Sequence, residues 1–170
     1  MRSALVALLL ILAAVAQVTV APLFPLGSAV PNLALLTLVL VGVIGGAPAV
    51  MLGTPVLAIS LGFLSDRSPA LLLLGYLPLL PLAAYLDTAS IPMSRYFQTL
   101  STMVVVGLTV RGLLALAAMS SGASLTLGVV LWQVALAGMI FDAALLTLAY
   151  VPLRFVGLEP RALTLERGSF

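Results

Sequence analysis

The chain has 170 residues, of which 63% are hydrophobic and only 7% are charged. A soluble domain carries roughly 25% charged residues, so this composition leaves too little polar surface for a water-soluble globule and predicts an integral membrane protein. The seven basic residues are all arginines and are scattered, which gives no indication of nucleic-acid binding. The absence of Cys and His excludes disulfides, thiol chemistry, imidazole catalysis and zinc sites built from these residues.

Six stretches have the length and hydrophobicity of membrane spans, since a helix needs about 20 apolar residues to cross the hydrocarbon layer. These spans are 3–21, 31–47, 49–65, 69–86, 97–118 and 125–151. Pro55 in the third span, and Pro78 with Pro81 in the fourth, predict kinks. We therefore predict an all-α, six-transmembrane-helix bundle over residues 1–155, followed by a polar cytoplasmic tail at 156–170.

The N-terminus has features of a signal peptide. Met1 and Arg2 form a basic start, residues 4–13 are apolar, and the Ala-Val-Ala at 14–16 would suit cleavage. Apolar sequence nevertheless continues to Ala21 without a polar break. This continuity favours an uncleaved first span.

The placement of arginines orients the predicted bundle, because arginines of short loops collect on the cytoplasmic side. With the N-terminus inside, that side receives Arg2, Arg95, Arg154, Arg161 and Arg167. The outer side then receives only Arg67. We therefore predict a multi-pass membrane protein with both termini in the cytoplasm.

Two ionisable residues, Arg111 and Asp142, fall inside predicted spans, where they are expected to face the interior and to have partners. Counted from the outer span ends, their depths are ~10 Å and ~25 Å, which argues against pairing them with each other. The count instead predicts an Asp66–Arg111 pair near the outer leaflet and a partner for Asp142 in Arg95 or Arg154 on the inner side. Structural pairing is favoured over a proton path, because no second relay group lies near Asp142.

Small residues four apart indicate faces where helices pack closely. Ala58, Gly62 and Asp66 share one such face, which we assign to internal packing because the carboxylate needs an internal partner. Gly42 and Gly46 form a second face without a charge. We assign that second face to contact with a partner helix.

Catalytic motifs are missing from the sequence. It has no Gly-rich phosphate loop with a Lys, no paired carboxylates and no nucleophile next to a base. We therefore predict a non-enzymatic protein without cofactor or metal. A channel or exporter would need a ring of polar pore residues, and none is recognisable.

Short motifs occur in the first four predicted spans, over roughly residues 5–86. They consist of Gln17 and Pro22, then Pro31, Asn32 and Leu33, then Ala58, Ile59, Gly62, Phe63 and Asp66, and finally Gly75 and Tyr76. Together these motifs resemble the pattern of the MreD family of rod-shape-determining membrane proteins. Asn32, Ala58 and Ile59 depart from that pattern, and the other positions match it.

The resemblance implies a non-enzymatic scaffold subunit of the bacterial elongation machinery, located in the inner (cytoplasmic) membrane. Such a subunit binds an MreC-like single-span protein, and through it MreB filaments and the RodA–transpeptidase synthase, in support of lateral peptidoglycan synthesis and rod shape. Membrane lipids are the other expected partners.

The family fold is also similar to the substrate-binding subunits of energy-coupling-factor transporters. The alternative is therefore a subunit that binds a vitamin-like small molecule. Those subunits carry an Ala-x-x-x-Ala pattern on the first span, and no two alanines of the first span here are four apart. Its absence favours the scaffold.

Overall fold

The structure of the protein is a computed structural model, which describes residues 2–25, 30–88, 95–122, 128, 132 and 135–155. All regular elements among these residues are helical, so the all-α prediction is confirmed for them. The elements are α1 (Arg2–Thr19), a 3₁₀ turn (Ala21–Leu23), α2 (Leu33–Ser65), α3 (Pro69–Tyr76), α4 (Leu79–Thr88), α5 (Arg95–Ser120) and α6 (Ala137–Phe155). The predicted tail at 156–170 lies outside the described residues.

Among the residues that the structure describes, three helical segments are long and apolar enough to cross a membrane: Ser3–Leu23, Leu33–Ser65 and Arg95–Ser120. Pro69–Tyr85 and Ala137–Pro152 are apolar but shorter. In the fourth predicted span, α3 ends at Tyr76 and α4 begins at Leu79, on either side of Pro78. The break follows from the proline, which cannot donate a helix hydrogen bond.

The longest element, α2, folds back on itself at Gly46. This residue has φ 70° and ψ −171°, a backbone conformation outside the helical region. A Cβ built on Gly53 would lie only 3.0 Å from the Leu38 side chain, whereas fifteen residues of straight helix would rise ~22 Å. α2 therefore consists of two packed limbs, 33–45 and 47–65.

The two limbs of α2 differ in length. At 1.5 Å per residue the first limb is ~20 Å long and the second ~28 Å, against a hydrocarbon layer of about 30 Å. The reversal at Gly46 lies within the predicted second span, one residue before its end at 47 and three before the predicted start of the third span at 49. Only the second limb is close to the length of a complete crossing.

The interior of the bundle is apolar and draws on nearly every helix. Its largest fully buried side chains include Leu10, Leu38, Leu57, Leu79, Met103 and Leu146. Large apolar side chains such as Leu5, Phe63 and Leu148 also cover the outside. An apolar exterior around an apolar core is the arrangement expected of a protein surrounded by lipid chains, which are as apolar as Leu.

The turn between α2 and α3 is tight. Ala58 is fully buried, and a Cβ built on Gly62 would come within 2.4 Å of Pro69. Both small residues thus pack inside the protein, where the end of α2 meets the start of α3. Asp66 ends α2 in the left-handed conformation, with φ 52°.

Candidate functional site

A cluster of polar side chains interrupts the apolar interior. We call it the polar junction and define it as Gln17, Asn32, Tyr76, Arg111 and Asp142. These residues come from α1, the residue preceding α2, α3, α5 and α6, respectively. The junction therefore joins elements that are far apart in the chain.

An ion pair forms the centre of the polar junction. Arg111 Nη2 lies 2.5 Å from Asp142 Oδ2, and the two side chains are only 10% and 4% exposed. The second carboxylate oxygen, Oδ1, accepts a hydrogen bond of 2.8 Å from the backbone N–H of Asn32. Asp142 thus connects α6 both to α5 and to the start of α2.

Other members of the junction accept hydrogen bonds at the start of α2. The first N–H groups of a helix have no partner within the helix and need such acceptors. Asn32 Oδ1 accepts from the Leu35 N–H at 3.0 Å, and Gln17 Oε1 accepts from the Ala34 N–H at 3.2 Å. Gln17 Nε2 also donates to the Pro31 carbonyl. Tyr76 is buried and interacts with the Asn32 side chain.

The contact between Arg111 and Asp142 contradicts the depths counted along the sequence, which separate the two residues. Those depths hold only for straight helices along the membrane normal, with Asp142 counted from residue 125. The described helix α6 begins at Ala137, and its second turn, which carries Asp142, lies level with Arg111 on α5. The prediction that Arg111 and Asp142 lie too far apart is therefore wrong.

The predicted Asp66–Arg111 pair is also wrong. Within the described part of the chain Asp66 forms no ion pair, because its side chain is exposed at the end of α2 and the Arg111 guanidinium binds Asp142. Arg95 does not pair with Asp142 either. It begins α5, ~24 Å from Arg111 along the helix. The Arg154 side chain lies outside the described residues.

Two glycines make room for the guanidinium group of Arg111. A Cβ on Gly138 would lie 2.6 Å from Arg111 Cζ, and one on Gly107 would lie 3.2 Å from Nη1. Neither glycine was predicted from the sequence. A signal for them exists, because each lies four residues before a charged residue on the same helix face: Gly107 before Arg111, and Gly138 before Asp142.

The sequence pattern assigned Gly42 and Gly46 to contact with a partner helix, and the structure gives them a different role. A Cβ on Gly42 would lie 2.7 Å from the Val50 side chain, so this face packs against the second limb of α2. Gly46 provides the reversal itself. We therefore reassign both glycines from partner contact to the internal packing of α2.

A cavity of about 770 Å³ adjoins the polar junction. Its walls are mainly apolar and include Leu61, Leu72, Val110 and Leu114. Its lining includes the junction residues Gln17, Asn32, Tyr76 and Arg111, which are buried or half-buried, and the exposed residues Asp66 and Arg67. We call the four junction residues the floor of the cavity and the two exposed residues its mouth.

The carboxylate of Asp142 is fully engaged in hydrogen bonds. Both oxygens of Asp142 have hydrogen-bond donors, so this carboxylate is not poised as a base. Among the described residues no group of three or more His, Cys, Asp or Glu side chains could hold a metal ion.

Comparison of the chain with protein-family models, curated proteins and solved structures finds no match. The resemblance to the MreD family therefore stands on its motifs. Four of the positions that carry it, Gln17, Pro31, Asn32 and Tyr76, lie together in or against the polar junction.

Proposed function

We propose that the chain is a non-enzymatic scaffold subunit of the bacterial elongation machinery, which binds an MreC-like single-span protein in the inner membrane. The observation that supports the proposal is the convergence of the motif residues Gln17, Asn32 and Tyr76 on the Arg111–Asp142 pair. In this position the motif fixes helices against one another, as a scaffold requires, and supplies no reacting group.

The proposed topology has six crossings with both termini in the cytoplasm. The reversal of α2 at Gly46 provides one change of direction, and the arginine distribution favours the orientation. In this orientation the start of α2 and the end of α5 face outward. The mouth of the cavity, with Asp66 and Arg67, then lies at the outer leaflet.

Co-purification in a mild detergent tests the scaffold role. The tagged protein is expressed in its native host, and the captured proteins are identified by mass spectrometry. We expect a single-span protein with a coiled-coil domain, together with components of the wall-synthesis machinery. An Asp142→Leu variant, which leaves Arg111 unpaired, measures capture by misfolded protein. Recovery of the same proteins with both chains would contradict the proposal.

A second candidate function is a vitamin-binding subunit of an energy-coupling-factor transporter. The cavity favours it, because 770 Å³ lies within the size range of small-molecule sites. The missing Ala-x-x-x-Ala pattern of the first span weighs against it. Co-purification of an ATPase-coupling subunit, with saturable uptake of a vitamin-like solute, would establish this function in place of the first.

A further inference from the structure

The cavity beside the polar junction has the composition of a binding site for an amphiphilic molecule. Small-molecule sites are apolar clefts of about 300–1,000 Å³ with a few polar groups that orient the ligand. Here the walls are formed by side chains such as Leu61, Leu72 and Leu114, and the polar groups are mainly those of the floor and the mouth. A ligand with an apolar body would fit these walls.

Two arginines line the cavity and can donate hydrogen bonds to an acid group. Arg111 lies at the floor and Arg67 at the mouth, where the exposed Asp66 precedes it in the chain. Asp142 neutralises Arg111, so these two arginines and two carboxylates together carry no net charge. The lining therefore offers an acid group hydrogen-bond donors rather than an excess of positive charge.

An unused donor on Arg111 points to the position of the acid group. The Arg111 side chain is nine-tenths buried, and its Nη2 binds Asp142. Its Nη1 is buried and has no hydrogen-bond partner. A buried donor without an acceptor costs free energy, and Arg111 is one of the residues that line the floor, so an acid group that enters the floor and reaches Nη1 would be bound favourably.

We propose that the cavity binds an organic anion with an apolar body, and that the acid group of this ligand lies at the floor beside Arg111. The same chemistry occurs in an acidic membrane lipid and in a dissolved carboxylic acid. The site is independent of the scaffold role, since it requires no partner protein. Its mouth at Asp66 and Arg67 is where the ligand enters.

Binding of octanoate to the purified protein in nanodiscs tests the proposal, with octanol as the uncharged analogue. We expect octanoate to bind at least about tenfold more tightly than octanol, the ratio that corresponds to about 1.4 kcal/mol. Ala115→Trp places a large ring in the cavity and should abolish this binding. Leu116→Trp is the matched control, because Leu116 is the next residue of α5, is exposed and does not line the cavity.

A second variant tests the role of Arg111 without leaving a lone charge. Arg111→Gln combined with Asp142→Asn replaces the ion pair by two amides and should remove the preference for octanoate over octanol. Equal binding of octanoate by wild type and Ala115→Trp, or equal binding of octanoate and octanol by wild type, would overturn the proposal.

The lipid source is distinguished by native mass spectrometry of protein taken from bilayers that contain phosphatidylglycerol. Lipid retained by wild type and by Leu116→Trp, but not by Ala115→Trp, identifies a membrane lipid as the ligand. Binding of octanoate without retained lipid identifies a dissolved acid, and neither signal in wild type refutes the site. Partner capture by Ala115→Trp should be unchanged, so failure of this site and failure of the scaffold role give different results.

Discussion

The two ends of the first limb of α2 are held by different forces. At its start, the N–H groups of Asn32, Ala34 and Leu35 are bonded by side chains from α6, α1 and Asn32 itself. At its other end, the chain reverses at Gly46, and Gly42 lies against Val50. Directional polar bonds fix the first end, and close approach of small residues fixes the second.

This difference between the two ends follows from the hydrocarbon layer that surrounds the bundle. In the hydrocarbon layer an unsatisfied backbone group costs several kcal/mol, so a helix start within the bundle needs side-chain acceptors. A reversal needs a residue that tolerates positive φ, and glycine does so without steric cost. Substitutions at the first end should therefore act through lost partners, and those at the second through strain and overlap.

The largest effect is expected from Asp142→Leu. The change leaves the Arg111 charge unpaired and the Asn32 N–H without its acceptor, which should lower the free energy of unfolding by ~3–5 kcal/mol. Unfolding in a denaturing detergent provides the measurement. Asp66→Asn is the control and should have little effect, because Asp66 is exposed and forms no ion pair within the described part of the chain. Equal losses in the two variants would contradict the assignment of Asp142.

Gly46→Ala tests the reversal of α2. Its φ of 70° with ψ of −171° lies in a region that is essentially restricted to glycine, so alanine should destabilise the protein by ~1–3 kcal/mol. Gly112→Ala is the matched control on α5, where a Cβ would meet nothing within 4 Å. That change should be neutral or stabilising, because alanine favours helix over glycine by about 1 kcal/mol. If both variants unfold alike, the reversal is not where the structure places it.

Gly42→Ala tests the contact between the limbs of α2. The added Cβ would lie 2.7 Å from Val50 Cγ2, so the Val50 side chain or the limbs must shift, at a cost of ~1–3 kcal/mol. Adding Val50→Ala removes the opposing methyl groups and should recover part of the loss. An unaffected Gly42→Ala variant with reduced partner capture would instead restore the sequence-based assignment of Gly42 to a partner surface.

Asn32→Ala should have the smallest effect among these changes. It removes the side chain that accepts from Leu35, and loss of such a helix cap costs ~1 kcal/mol. It also removes the contact of this side chain with Tyr76. The backbone N–H of residue 32 remains and can still donate to Asp142. Hydrogen exchange of the first turn of α2 should therefore rise locally, whereas a global loss of protection would show that the contact of Asn32 with Tyr76 stabilises the whole junction.

The sequence predicted the helical class and the break at Pro78, because hydrophobicity and proline act locally. The partner of Arg111 could not be predicted by counting residues, since such a count assumes straight helices that start at one level. The same limit applies to Gly42 and Gly46. Their spacing of four residues indicated a close contact, but a reversal at Gly46 converts an outward face into an internal one.

Gly107 and Gly138 show a second limit of the four-residue spacing as a sequence signal. Each lies four residues before a charged residue of the junction, and Gly62 and Asp66 have the same spacing. The sequence alone does not show whether a small residue lets a neighbouring helix approach closely or leaves space for a single side chain. The position of the Arg111 guanidinium against Gly138 makes this distinction.

A pair of double-mutant cycles tests most directly the central claim that the polar junction, through Arg111 and Asp142, joins α5 and α6. One cycle combines Arg111→Leu with Asp142→Leu, and the other combines Arg111→Leu with Asp66→Leu. The structure predicts a coupling energy of ~0.5–3 kcal/mol for Arg111 with Asp142, the range found for residues in one network, and about zero for Arg111 with Asp66. Strong coupling of Arg111 to Asp66, with none to Asp142, would contradict the account.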